Sequence, residues 1–101
     1  MQLLRHHFLL SYLEIVNDMK QREFEKFLKA VGMQLAELRE KKGFKTLKQF
    51  ANQFELPEIH YWRMENGKTN VTLKSLIRVL KIHNLTLPDF FCLLQDERKA
   101  A

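Results

Sequence analysis

The sequence predicts an all-α protein: a five-helix domain preceded by an additional N-terminal helix. Three observations carry that expectation. Apolar residues recur at steps of three and four along nearly the whole chain, and no run keeps the alternation that a half-buried strand requires. Thr or Asp with Gln or Asp three residues later opens the periodic runs, and Gly or Asn closes them. Only short polar stretches separate the runs, so the helices pack as close neighbours, and 101 residues supply one core rather than two.

Residues 1–18 read as the N-terminal extension and residues 19–101 as the domain. Met1 to Val16 is apolar, but Ser11, Tyr12 and Glu14 interrupt it. It falls short of the ~20 apolar residues that span a bilayer, and no small-residue cleavage site follows. The expectation is a cytoplasmic helix with no role at a membrane. Its apolar side needs a partner surface, either the domain itself or a second subunit.

Asp18 with Gln21 is a capping box that opens the first helix of the domain. Phe24, Phe27, Leu28, Val31, Leu35 and Leu38 make its inward face, and Gly32 inside that run marks a bend or break. Arg39-Glu40-Lys41-Lys42-Gly43 ends it, basic residues and then glycine. Thr46 with Gln49 opens a short second helix whose stripe is Leu47, Phe50, Ala51 and Phe54. Pro57 suits the first turn of a third helix, Glu58 suits the positive end of its dipole, and Gly67 caps it after Asn66. Thr72 opens a fourth, with Leu73, Leu76, Ile77 and Leu80 inward and Asn84 as its stop. Thr86 with Asp89 opens a fifth that carries Leu87, Phe90 and Phe91.

Composition narrows the function. The net charge is +5 and the pI about 9.5. The excess peaks in residues 56–83, where Arg63, Lys68, Lys74, Arg78 and Lys81 face only Glu58 and Glu65, while residues 84–101 are net acidic. Such a distribution suits a polyanionic partner as well as a solvated surface. Gly32, Gly43 and Gly67 are the only glycines, too few and too scattered for a phosphate-binding loop. Cys92 is the single cysteine, which permits no internal disulfide and fits a reducing compartment. It sits among Phe90, Phe91, Leu93 and Leu94 and is expected to be buried. His6, His7, His60 and His83 lack carboxylate or thiolate partners at ligand spacing, so no metal and no cofactor is expected. No nucleophile-base set or carboxylate pair can be assembled, so an enzyme is not expected.

The second and third helices form a pair joined by a tight turn at Glu55-Leu56-Pro57, with the small Ala51 where they cross, which is the plan of a helix-turn-helix. Here the sequence resembles the phage-repressor-like (Xre-type, lambda-repressor-like) helix-turn-helix regulators. The resemblance covers about Gly32 to Phe91. It rests on L-x-x-L-R-x-x-K-G from Leu35 to Gly43, Phe50-Ala51, R-M-E-N-G-K from Arg63 to Lys68, and L-x-S-L from Leu73 to Leu76. The fourteen-residue step from Ala51 to Glu65 is the family's spacing. Three positions depart from it. Leu47 stands where the family has a phosphate-contacting glutamine, the Phe44-Lys45-Thr46 loop is one residue longer, and Glu55 replaces the turn glycine. Thr46, Lys45 and Lys48 are neighbours able to make the missing phosphate contact.

At ~100° per residue, Pro57, Tyr61 and Met64 fall on one side of the third helix and Ile59, Arg63 and Asn66 on the other, with His60 and Trp62 on the flanks. The resemblance implies base-reading roles for Glu58, Ile59 and Arg63, so the two routes agree on Ile59 and Arg63. Arg63 can present a fork to guanine O6 and N7, and Ile59 can touch a thymine methyl. Glu58 either accepts from cytosine N4 or favours the helix N-terminus. Trp62 stacks on a sugar or packs against the fourth helix. The resemblance also implies backbone contacts at Asn66 and Lys68, with Asn70 and Lys74 nearby, and a structural pair between Arg39 and Glu65.

The expected function is a sequence-specific DNA-binding transcriptional regulator, a repressor, working as a homodimer on double-stranded DNA. Leu3 to Val16 and Phe90 to Leu94 are the candidate dimer surfaces, and the resemblance favours the second. The alternative is an antitoxin-type interaction module that neutralises a toxin partner and autoregulates its operon.

Overall fold

A computed structural model describes the backbone of residues 2–100 and the side chains of residues 20–95. It holds five helices and, among the described residues, no strand. They are α1 (Gln2–Lys41), α2 (Leu47–Gln53), α3 (Glu58–Glu65), α4 (Leu73–Ile82) and α5 (Leu87–Ala100).

The expected N-terminal helix and the first helix of the domain are one continuous helix of 40 residues. It passes through Asp18 and Gly32 with neither a new start nor a break. One glycine lowers helix preference by only ~1 kcal/mol, which flanking packing overrides. Here Val31 and Leu35 on either side are buried. The side chains of residues 1–19, on which the extension's expected partner face falls, lie outside the described residues.

The caps predicted at Thr46, Thr72 and Thr86 form, whereas Asp18 lies inside α1 and opens no helix. The Thr46 hydroxyl accepts from the Gln49 N–H at 3.2 Å, and that of Thr72 from the Ser75 N–H at 3.1 Å. Thr86 and Asp89 close a reciprocal box at 3.1 and 3.2 Å, and donation to the Asp89 carboxylate by the Thr86 backbone N–H, then by its side chain, holds that carboxyl below its ordinary pKa. Pro57 is the cap residue of α3 rather than part of its first turn, and it is exposed.

Helix ends are equally regular. After α1, α2, α3 and α4 an N–H reaches back to the carbonyl five residues before: Phe44 to Arg39 at 3.2 Å, Leu56 to Ala51 at 2.8 Å, Lys68 to Arg63 at 2.9 Å and Leu85 to Leu80 at 3.0 Å. Each such closure needs one residue at positive φ just past the helix. Gly43, Gly67 and Asn84 occupy three of these places, and Glu55, with φ of 55°, occupies the fourth.

The core is built around Phe50. The rings of Phe44, Phe54, Tyr61 and His83 lie 5.0–5.5 Å from it, centroid to centroid. The loop between α1 and α2 carries Phe44 edge-on against Phe50. Val31 and Leu35 from α1, Val79 and Leu80 from α4, and Phe90 and Leu94 from α5 complete it.

Several expected core residues are on the surface. Phe24 and Phe27 are exposed, as is every residue from Lys20 to Phe27, so the other helices cover α1 only in part before Leu28. Helix α4 buries only Leu76, Val79 and Leu80, which leaves Leu73 and Ile77 on an uncovered edge. In α5 the inward pair is Phe90 and Leu94, one turn apart, so Phe91 and Cys92 point outward; Cys92 is exposed, not buried.

Candidate nucleic-acid interface

Helix α3 is held firmly from behind. Tyr61 and Met64 are fully buried, and α1 crosses the end of α3 so closely that a Cβ on Gly32 would lie 2.2 Å from the Glu65 carbonyl oxygen. Beside that crossing, Arg39 donates to the Glu65 carboxylate through Nε at 2.9 Å and Nη2 at 3.2 Å, and through Nη1 to the Phe44 carbonyl at 2.8 Å. This is the pair that the resemblance implied, and both side chains are nearly buried. The hydrogen bond to Glu65 raises the Arg39 pKa further, so the guanidinium stays charged. The Tyr61 hydroxyl is buried with no hydrogen-bond partner among the described residues, and burial, then the Glu65 carboxylate, pushes its pKa well above the ordinary value. The work of these groups is to fix α3.

The other side of α3 is open. Ile59 is 69% and Trp62 47% exposed, and Glu58, His60, Arg63 and Asn66 are exposed with them. Lys68 and Asn70 follow in the exposed turn to α4, whose first turn carries Lys74. The His60 ring nitrogen lies 3.4 Å from the Ser75 hydroxyl, which brings the first turn of α4 against α3. The Asn66 side chain donates to the Trp62 carbonyl at 2.9 Å. Residues 58–70 and the start of α4 therefore form one continuous surface. Thr46 and Lys48 are exposed on α2, and no hydrogen bond among the described residues joins them to that surface; the Thr46 hydroxyl serves as the α2 cap.

Two supports of the site escape sequence reasoning. Lys29 packs its backbone where a Cβ on Gly67 would come within 3.0 Å, so α1 also backs the turn after α3. Arg78 of α4 donates to the Glu55 carbonyl at 3.0 Å, tying α4 to the turn between α2 and α3. The sequence signal for the close approach of α1 to α3 was Gly32, a glycine inside an apolar helical run. Its small size is what the crossing uses.

Among the described residues no group of His, Cys, Asp or Glu is placed to hold a metal ion, and no helix is long and apolar enough to cross a membrane. Comparison with known proteins adds two relatives. The chain is 33% identical over 66 residues to the control protein C.MunI of Mycoplasma sp, covering 65% of this chain and 89% of that protein. It is 34% identical over 50 residues to the plasmid copy control protein CopR of Streptococcus agalactiae, half of this chain and 54% of that one. The chain thus spans about half the length of CopR. No protein-family model and no solved structure matches it.

Proposed function

The chain belongs to the family of the control protein C.MunI, and from that membership we propose that it is a sequence-specific DNA-binding transcriptional regulator, a repressor, of the lambda-repressor-like helix-turn-helix kind. One observation carries the reading. A helix locked into the core through Tyr61 and Met64 turns Ile59, Trp62 and Arg63 to solvent. Exposed apolar side chains beside an arginine are costly to leave in water and suit base edges.

In this reading α3 enters the major groove. Arg63 forks onto guanine and Ile59 meets a thymine methyl, while Glu58 accepts from cytosine N4 or stays at the helix N-terminus. Trp62 lies against a sugar. Asn66, Lys68 and Asn70 hold the backbone on one side, with His60 beside them, and Thr46 and Lys48 of α2 hold it on the other. One α3 reads half an operator, so two copies act together on an inverted repeat spaced about one helical turn apart.

The test is a pair of titrations, one with a site selected from random duplexes and one with a scrambled duplex. Arg63→Ala lowers affinity for the selected site by roughly ten- to a hundredfold and changes scrambled binding far less, because a guanine fork is worth ~1–3 kcal/mol of discrimination. Lys68→Ala weakens both alike and lowers the salt slope by about one contact. Equal losses on both duplexes for Arg63→Ala, or no duplex binding by the unaltered chain, would overturn the reading.

A further inference from the structure

A groove of about 630 Å³ runs between α1 and α5, lined by Phe27, Ala30, Phe91 and Leu94 together with Glu23, Lys26 and Gln95. Phe27 and Phe91 are each 40% exposed and Phe24 is 39% exposed, an aromatic patch apart from the α3 surface. Contiguous exposed apolar surface of this kind marks an interaction face.

The geometry of α1 says what covers it. Forty residues make a rod of ~60 Å, and the molecule measures 63 Å along its longest axis against 30 and 20 Å along the others. The half of α1 before Glu23 therefore extends beyond the domain. At ~100° per residue, positions Phe8, Leu9, Tyr12, Val16 and Met19 fall on the same side of the helix as Phe27 and Ala30. The chain thus carries an apolar helical stripe and an apolar groove on one face of one helix. Because the helix is continuous, the stripe cannot fold back into its own groove.

We propose that the groove between α1 and α5 receives the N-terminal half of α1 from a second copy of this chain, and that the second copy's groove receives the first in return. A two-fold axis crossing α1 near Met19–Lys20 lays each stripe antiparallel along the other's groove, with Tyr12 facing Phe27. A stable interface needs roughly 20–30 residues a side, more than one groove supplies, and the reciprocal form doubles the contact by joining two grooves to two stripes. The two sequence segments that each looked like a dimer surface are then the two halves of one surface. This deepens the homodimer of the preceding section, yet it can be tested without DNA.

Sedimentation of the full chain is the measurement. The unaltered protein is expected to sediment as a dimer at micromolar concentration. Phe27→Glu or Phe91→Glu in the groove, and Tyr12→Glu or Leu9→Glu in the stripe, each weaken it about thirtyfold or more, the scale of losing an interface hot spot. Phe27 and Phe91 are already half exposed, so the helical content of both groove variants should match the unaltered chain. An equimolar mixture of Phe27→Glu and Tyr12→Glu recovers more dimer than either alone, because one intact stripe meets one intact groove. Ile59→Ala on α3 changes DNA binding and leaves the dimer intact, so loss of DNA binding alone overturns only the regulator reading. The interface is overturned by a monomer at tens of micromolar, by groove variants that dimerise as the unaltered chain does, or by a mixture that recovers nothing.

Discussion

Replacing Gly32 with alanine sets two physical effects against each other. In an unpacked helix the change is favourable by up to ~1 kcal/mol, since alanine is the better helix former. At the crossing of α1 and α3 the added methyl would lie 2.2 Å from the Glu65 carbonyl oxygen, 2.6 Å from its carbon and 2.7 Å from the Met64 oxygen. All three are backbone atoms, so no change of rotamer relieves the contact. Ordinary contact begins at 3.4 Å, and the helices must part by the difference, 1.2 Å. A gap of that order forfeits about half of the dispersion well of each facing atom pair, and it stretches the Arg39–Glu65 bonds from 2.9 and 3.2 Å out of range.

Overpacking costs ~1–3 kcal/mol, and the strained ion pair places this case at the upper end. Subtracting the gain in helix propensity leaves a net loss of about 2 kcal/mol. Urea unfolding followed by far-ultraviolet circular dichroism measures it. Met33→Ala is the control, because Met33 is 64% exposed in the same turn and should shift stability by less than ~0.5 kcal/mol. If Gly32→Ala is as stable as the unaltered chain, or more so, the close crossing is wrong.

Glu55→Gly should raise stability by about 1 kcal/mol, because glutamate is strained at φ of 55° and the carbonyl that Arg78 uses is retained; an unchanged denaturation midpoint refutes it. Arg39→Ala leaves the Glu65 carboxylate buried without its partner and should cost about 3 kcal/mol, whereas Lys41→Ala, which breaks only the exposed pair with Glu37, should cost less than ~0.5 kcal/mol. Equal losses in the two variants would show that the buried pair has no special weight. Burial, and then the charge of Lys42, lowers the His83 pKa. The unfolded chain therefore takes up that proton near pH ~6.5 while the folded chain takes it up only at lower pH, so stability is level above that point and falls below it. His83→Phe keeps the ring beside Phe50 and should flatten this slope; a slope identical to that of the unaltered chain refutes the assignment.

The elements were legible because local chemistry marks them. Thr46 and Thr86 cap helices where their spacing to Gln49 and Asp89 predicts, Thr72 opens α4 as expected, and Gly43, Gly67 and Asn84 close helices. The outward placement of Ile59 and Arg63 followed from helical period alone. What period cannot tell is how far along a helix its neighbours reach. Phe24 and Phe27 continue the stripe of Val31 and Leu35 without interruption, yet α5 covers the turns that carry them only in part. Cys92 misled for a related reason: apolar sequence neighbours are not spatial neighbours when only every fourth residue of α5 faces inward. Gly32 was read through its backbone freedom, when at this position its lack of a side chain is what matters.

The stabilising devices of the fold converge on one helix of eight residues. Isolated helices of that length do not hold together in water, so α3 owes its shape to its neighbours. At its far end it has the Gly32 crossing, the Arg39–Glu65 pair and the Gly67 closure backed by Lys29. At its near end are the Pro57 cap and the preceding turn, which Arg78 ties to α4. All three far-end contacts come from α1, the same helix whose other half extends beyond the domain. A force that reorients α1, such as pairing with a second copy along Phe27 and Ala30, is therefore transmitted to α3 through a backbone contact with no flexible side chain in it. In the proposed dimer the distance and angle between the two α3 helices are set by a single rigid helix in each copy, and spacing between half-sites becomes a property of α1.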